Sequence, residues 1–257
     1  MELKTLHKEG NKLVFVIKDT DYVFVNTLRR TILTETPTMA IRTITIIKNT
    51  SALFDEFVGH RLGLIPLTTD LESYNLKEEC TCKNAGCAKC ELTITLKAEG
   101  PLTVYASDLK SQDPKIKAVY GKMPIVKLLK GQELEFEATT GLGTGKEHAK
   151  FNPGHVYYRG IPEIKVDSEN KAKQCVKVCE GLLEYNKNLE IKDYIKWNEK
   201  YEQLCEELGA EITDSENDFI FYLESWGKLS CEEILSKALD IIDANITELV
   251  IQIEKSK

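Results

Sequence analysis

The chain has 257 residues, of which 42% are hydrophobic and 29% charged, and its formal charge is −7. This balance excludes a disordered chain, and no apolar run approaches the roughly 18 to 20 residues that a membrane helix needs. The negative charge argues against nucleic-acid binding through the chain's own net field, because phosphate neutralisation requires clustered Lys and Arg.

The N-terminus, MELKTLHKEGNKLVF, has early charges and no apolar segment followed by a cleavage site, so the chain is expected to stay in the cytoplasm. Residues 12 to 18, KLVFVIK, predict a strand, and the DTD at 19 to 21 supplies acidic N-cap candidates. A helix follows, in which Phe24, Leu28 and Ile32 repeat every four residues, Val25 and Leu33 widen the stripe, and Pro37 marks the end. AIRTITIIKN predicts a strand with Ile41, Thr43, Thr45 and Ile47 on one face and Ile44 and Ile46 on the other. Residues 51 to 67 predict a short helix stopped by Gly63 and Pro66. Four further strand signals lie between 91 and 143, one pair separated by Gly100 and Pro101, the other turning at Lys130 and Gly131.

From about residue 165 the chain is dense in Lys and Glu, with helical stretches ENKAKQCVKVCEGLLEY and IKWNEKYEQLCEEL, followed by a strand at 218 to 227. Ser230 and Glu233 then form a capping-box pattern opening a terminal helix. In it Leu235, Leu239, Ile242, Ile246, Leu249 and Ile253 recur three or four apart. A stripe of that length packs either on the chain's own sheet or on a partner helix.

Cys80, Cys82, Cys87 and Cys90 fall within eleven residues as C-x-C-x4-C-x2-C. Short connections of this kind fold four thiolates around one tetrahedral Zn²⁺, and Gly86 helps the turn. With four protein ligands the coordination sphere is closed, so the expected metal is one structural zinc that holds a loop and does not activate water. Cys175, Cys179 and Cys205 lie in a segment similar to a ferredoxin motif, but Glu169, Ala172, Glu199, Glu202 and Gly209 occupy other ligand positions. These three thiols are too few for a cluster, and no iron–sulfur centre is expected. GLGTGKEH at 141 to 148 fails as a phosphate loop: its spacing is one residue short and Glu147 stands where Ser or Thr would meet Mg²⁺. No nucleophile or carboxylate pair accompanies His60, His148 or His155 in any readable motif, and no catalytic residue is expected.

NTLRRTILTETPTMAI, DEFVGHRLGLIPL, the cysteine cluster, TVYASDL, GKEHAKFNPG and FYLESWG run in order along the chain and together resemble the D-type subunit family of archaeal RNA polymerase. They are also similar to the third-largest subunit of eukaryotic RNA polymerase II and, more distantly, to the bacterial alpha subunit. The resemblance implies an α+β fold with a discontinuous dimerisation domain (1–40 and 213–257). Between its halves it implies a β-rich insert with the zinc loop (41–162) and a degenerate ferredoxin-like third domain without a cluster (163–212).

The resemblance also implies partners. The family pairs with a small alpha-like partner, the L-type subunit, then binds the small N-type and P-type subunits and the two large catalytic subunits, meeting DNA and RNA only through the complex and involving no membrane. Carried over by position, partner contacts fall on Asn26, Leu28, Arg29, Arg30 and Ile32, on His60 and Arg61, and on the terminal stripe Leu235, Leu239, Ile242, Ile246, Leu249 and Ile253. The expected function is a non-catalytic assembly subunit of a multisubunit DNA-dependent RNA polymerase, with nucleotidyl transfer belonging to the complex. The rival reading is a free-standing zinc-containing enzyme acting on nucleotides. A zinc-containing DNA-binding regulator is weakened by the acidic charge and the lack of a basic recognition helix.

Overall fold

The computed structural model describes residues 1–186 and 188–256. In chain order the elements are β1 (Glu2–Glu9), β2 (Lys12–Lys18), α1 (Tyr22–Thr34), β3 (Thr38–Asn49), α2 (Asp55–Gly63), β4 (Leu92–Glu99), β5 (Leu102–Tyr105), β6 (Lys110–Ser111) and β7 (Pro124–Leu128). They continue as β8 (Glu133–Gly143), β9 (Gly154–Lys165), α3 (Glu169–Val178), β10 (Leu183–Asn186), β11 (Asn188–Ile191), α4 (Glu199–Glu207), β12 (Glu211–Ser225) and α5 (Cys231–Lys255). Among the described residues this is a mixed α and β chain with three sheets, in orders β1-β2-β12-β9-β11-β10, β3-β8-β4-β6 and β5-β7. It divides into two compact units, Met1–Arg29 with Val156–Leu223 and Arg30–His155 with Glu224–Lys257. Residues 163–212 thus share a unit, and a sheet, with β1 and β2.

In the first unit the β1–β2 hairpin turns at Gly10, whose φ of +55° a side chain would resist. The strand expected at 12 to 18 forms there, and Val14 and Val16 bury against Ile220 of β12. Asp21 Oδ1 caps α1 by accepting from the Phe24 N–H at 2.8 Å. α3, α4 and the β10–β11 hairpin close around Ile164, Cys175, Cys179, Leu183, Trp197 and Cys205. Arg159 pins this layer by forking to Glu202 at 2.9 Å and Asp214 at 3.0 Å. Such a fork is geometrically specific because the planar guanidinium fits two carboxylates at once.

The second unit buries Ile41, Leu62, Ile94, Ile116, Leu134 and Phe136 in one core. α2 contributes Val58 and Leu62 from one face. The expected face assignment of β3 is corrected here. Its pairing with β8 shifts register between Ile41 and Thr43, so the inward face switches from odd to even positions. Ile41 is buried, Ile44 and Ile46 pack against the core, and Ile47 is exposed. The strand pairs expected around Gly100 and around Gly131 also separate: β4 and β8 pair with each other, while β5 pairs with β7.

Lys228, on the approach to α5, is 5% exposed. Its Nζ donates to the Lys150 carbonyl oxygen and to Thr38 Oγ1, fastening this approach to β3 and to the turn before β9. Burial lowers its pKa from the ordinary 10.5 to about 8. Between these values the unfolded chain holds a proton that the folded chain has released, so this group's contribution to stability rises with pH across the window. In urea unfolding, the stability difference between wild type and Lys228→Met is therefore expected to grow in favour of wild type from pH 8 to pH 10.5. A pH-independent difference would refute the assignment.

Candidate functional site

The four cysteines of the 80–90 loop converge. Their Sγ atoms all lie within 4.8 Å of one another, with Cys80–Cys87 at 3.5 Å, Cys82–Cys90 at 3.6 Å and Cys87–Cys90 at 3.9 Å. Tetrahedral Zn²⁺ with bonds of about 2.3 Å sets sulfur–sulfur edges of about 3.8 Å, so the thiols already stand near the required geometry. Local backbone chemistry explains the convergence. Lys83 N–H donates to the Cys80 carbonyl at 3.0 Å and Ala85 N–H to the Cys82 carbonyl at 3.1 Å, while Lys83, Asn84 and Gly86 have φ of +52°, +67° and +87°.

A side chain at Gly86 would also collide with the Glu91 carboxylate, since an added Cβ falls 2.3 Å from its Oε2. Glu91 is held in place by Lys77 at 2.7 Å. Cys80 and Cys90 are buried, and Cys82 and Cys87 are partly accessible. Burial pushes the Cys90 thiol up to about 12, opposed by the Cys87 N–H that it accepts and reinforced by contacts with the other three thiols. A bound dication reverses that preference by stabilising thiolates. Among the described residues this is the one group of three or more His, Cys, Asp or Glu side chains that converges as a metal-ligand set.

The terminal helix α5 is capped as expected: Glu233 N–H donates to Ser230 Oγ at 3.2 Å and Ser230 N–H donates to Glu233 Oε2 at 2.7 Å. It buries Cys231, Ile234 and Ala238. The predicted stripe lies largely outside the chain's own core. Leu235 and Ile242 are half-buried, but Leu239 is 46% exposed, Ile246 57%, Leu249 56% and Ile253 50%. Val250 and Ile251, which the periodicity did not single out, are exposed beside them. Of the two packings open to this stripe, the chain's own sheet does not supply the cover for its C-terminal half.

α1 divides the residues assigned to it. Leu28 and Ile32 are 3% and 0% exposed, so they hold the helix from within and are not available as direct partner contacts in this fold. Arg30 is exposed, and Arg29 is partly buried, donating to Asn26 Oδ1 at 2.9 and 3.2 Å. On α2, His60 and Arg61 are exposed, and Arg61 Nη2 donates to the Pro124 carbonyl at 2.8 Å. Residue-by-residue reasoning missed the exposed Phe54, Phe57 and Leu64 that share this segment. The signal was present in two phenylalanines flanking an Asp–Glu pair, a pattern that core packing does not require.

The remaining motifs resolve as structure. Gly143 and Gly145 allow close packing, since an added Cβ would meet the Phe151 ring at 2.6 Å and the Leu33 carbonyl at 1.9 Å. His148 Nδ1 accepts from the Lys150 N–H at 3.0 Å and caps a short turn. Cys175, Cys179 and Cys205 are all buried in the core of the first unit.

The chain is similar in sequence to known proteins. The RNA polymerase Rpb3/RpoA insert domain model matches residues 43–169. The DNA-directed RNA polymerase subunit Rpo3 of Methanosphaera stadtmanae is 37% identical over 268 aligned residues, covering 97% of both chains. That of Archaeoglobus fulgidus is 34% identical, covering 96% of both. That of Pyrococcus furiosus is 39% identical, covering 99% of this chain and 98% of its own.

Proposed function

The chain belongs to the Rpb3/RpoA family of RNA polymerase subunits, alongside the Rpo3 proteins, and from that premise we propose how it acts. It is a non-catalytic assembly subunit of a multisubunit DNA-dependent RNA polymerase, corresponding to the archaeal D-type subunit. The first partner is the small alpha-like L-type subunit, whose helix covers the exposed stripe of α5. The small N-type and P-type subunits and the two large catalytic subunits then dock, with Arg30, His60 and Arg61 among the contacts and Arg29 with Asn26 beside them. Nucleotidyl transfer belongs to the complex, in the cytoplasm, and this chain meets DNA and RNA only through it.

The observation that carries the reading is the row Leu239, Ile246, Leu249 and Ile253, each 46% exposed or more on a capped 25-residue helix. Water is a poor neighbour for so long an apolar face, and a facing helix removes it. The family's division of the chain is proposed on the same footing: 1–40 with 213–257 for dimerisation, 41–162 as the insert, and 163–212 as a ferredoxin-like remnant without iron. The four-cysteine loop holds one structural Zn²⁺, because four thiolates saturate a tetrahedral ion and leave no position for substrate or water. The alternative of a zinc enzyme acting on nucleotides has no support from the relatives, all named as polymerase subunits.

Co-expression with a small alpha-like subunit, followed by light scattering and metal analysis, tests the reading. A 1:1 heterodimer with about one zinc per chain and no iron is expected. A monomer indifferent to the partner, or nucleotide turnover by the isolated chain, would overturn it.

A further inference from the structure

The three thiols of the first unit are unequal. Cys179 lies at the C-cap of α3, where its N–H donates to the Cys175 carbonyl at 3.0 Å, and Cys205 lies on α4. Their Sγ atoms are 3.4 Å apart, and both residues are fully buried. The apolar layer around them holds Ala172, Leu183, Trp197 and Ala210, and also Cys175, whose thiol touches Cys205 from the other side. We propose that Cys179 and Cys205 form a reversible dithiol–disulfide pair, a redox-modification site that clasps α3 to α4. This goes beyond the assembly role and does not depend on it.

The chemistry balances with a small-molecule disulfide as oxidant. One protein thiolate attacks the oxidant's sulfur, giving a mixed disulfide and releasing the first small thiol; the second protein thiolate then displaces the other. Two S–H bonds and the oxidant's S–S bond break, and one protein S–S bond and two small-molecule S–H bonds form. Two electrons pass to the oxidant, and its two thiols carry away both protons. The sulfurs have to close from 3.4 Å to about 2.05 Å, a movement shared by two side chains. Burial raises the pKa of both thiols and holds them in the unreactive protonated form, so exchange requires local opening of the layer. The clasp therefore answers sustained oxidation. Once formed, it closes a loop containing the β10–β11 hairpin and Trp197.

The test uses the full chain with its cysteine loop zinc-saturated, incubated with oxidised or reduced glutathione. Remaining thiols are alkylated and the digest is mapped by mass spectrometry. The expected product joins the Cys179 and Cys205 peptides, is lighter by two hydrogens, and reverts with dithiothreitol. Cys175→Ala should leave the link intact, and Cys205→Ala should abolish it with unchanged circular dichroism. Mapping of the wild-type chain is decisive even if a variant fails to fold. Three results would overturn the proposal: a link from Cys175 to either Cys205 or Cys179 in place of the Cys179–Cys205 link, stable glutathione adducts on Cys179 or Cys205, or full alkylation of both after oxidation.

Discussion

Replacing Leu239 and Ile246 together by Asp is expected to abolish pairing with the small alpha-like subunit while leaving the isolated chain folded. Both positions are about half exposed in the chain alone, so the new carboxylates stay in water there and cost the fold little. In the heterodimer they would be buried opposite an apolar helix. Each unpaired charge then costs several kcal/mol, and two together lower affinity by on the order of 10⁴-fold or more. Co-purification and light scattering read the loss, and circular dichroism checks the fold. Full heterodimer formation by the double variant would remove α5 from the interface. The contrasting change, Ile234→Asp, should unfold the chain instead, since Ile234 is 0% exposed.

Changing Cys82 to Ser should take the zinc content from about one per chain to near zero. A hydroxyl is a poor replacement for a thiolate, and structural zinc contributes roughly 10–16 kcal/mol to the folding of small metal modules. In this chain the loss is local. Between Thr68 and Glu91 the loop's buried anchors are Tyr74, Cys80 and Cys90, so without metal it should open and be cut by trypsin after Lys83 or Lys89. The core around Phe136, Ile94 and Leu62 does not depend on the thiols and should persist. Elemental analysis with limited proteolysis reads both effects. Full zinc retention by the variant would refute a four-thiolate site.

Legibility in the sequence followed how local the determining physics is. The capping box at Ser230 and Glu233 and the spacing of the four cysteines act within a few residues, and both were readable. The helix expected to run through ENKAKQCVKVCEGLLEY instead ends at Val178. Gly181 adopts a φ of +84°, and Leu183 and Tyr185 enter a hairpin. A helical pattern does not reveal that switch without the neighbouring strand.

β1 carries charges at four of its eight positions as an edge strand, and β9 contains Gly160 and Pro162, so neither gives a clean alternation. The bulge in β3 was equally hidden, because it is fixed by pairing with β8, almost a hundred positions away. At the candidate interface, periodicity identified the α5 stripe but could not tell that Leu28 and Ile32 on α1 face inward, since an amphipathic repeat has the same spacing on either kind of surface.

The sheet order has a consequence for how the chain folds. β2 and β12 are neighbours, and the Asp19 N–H bonds to Asp218 across a separation of 199 residues. Everything from 30 to 155 is thus an excursion between two strands that must find each other. The excursion has its own core of contacts closer in sequence, such as those of β7 and β8 with their partners. Loop-closure entropy grows only as the logarithm of length, but it must be met before the strand pair returns any hydrogen bonds. A compact excursion shortens the effective loop. The long-range ladder is therefore expected to form late in folding, and a defect in the excursion's core should slow β2–β12 pairing without touching either strand, a delay that stopped-flow refolding would read.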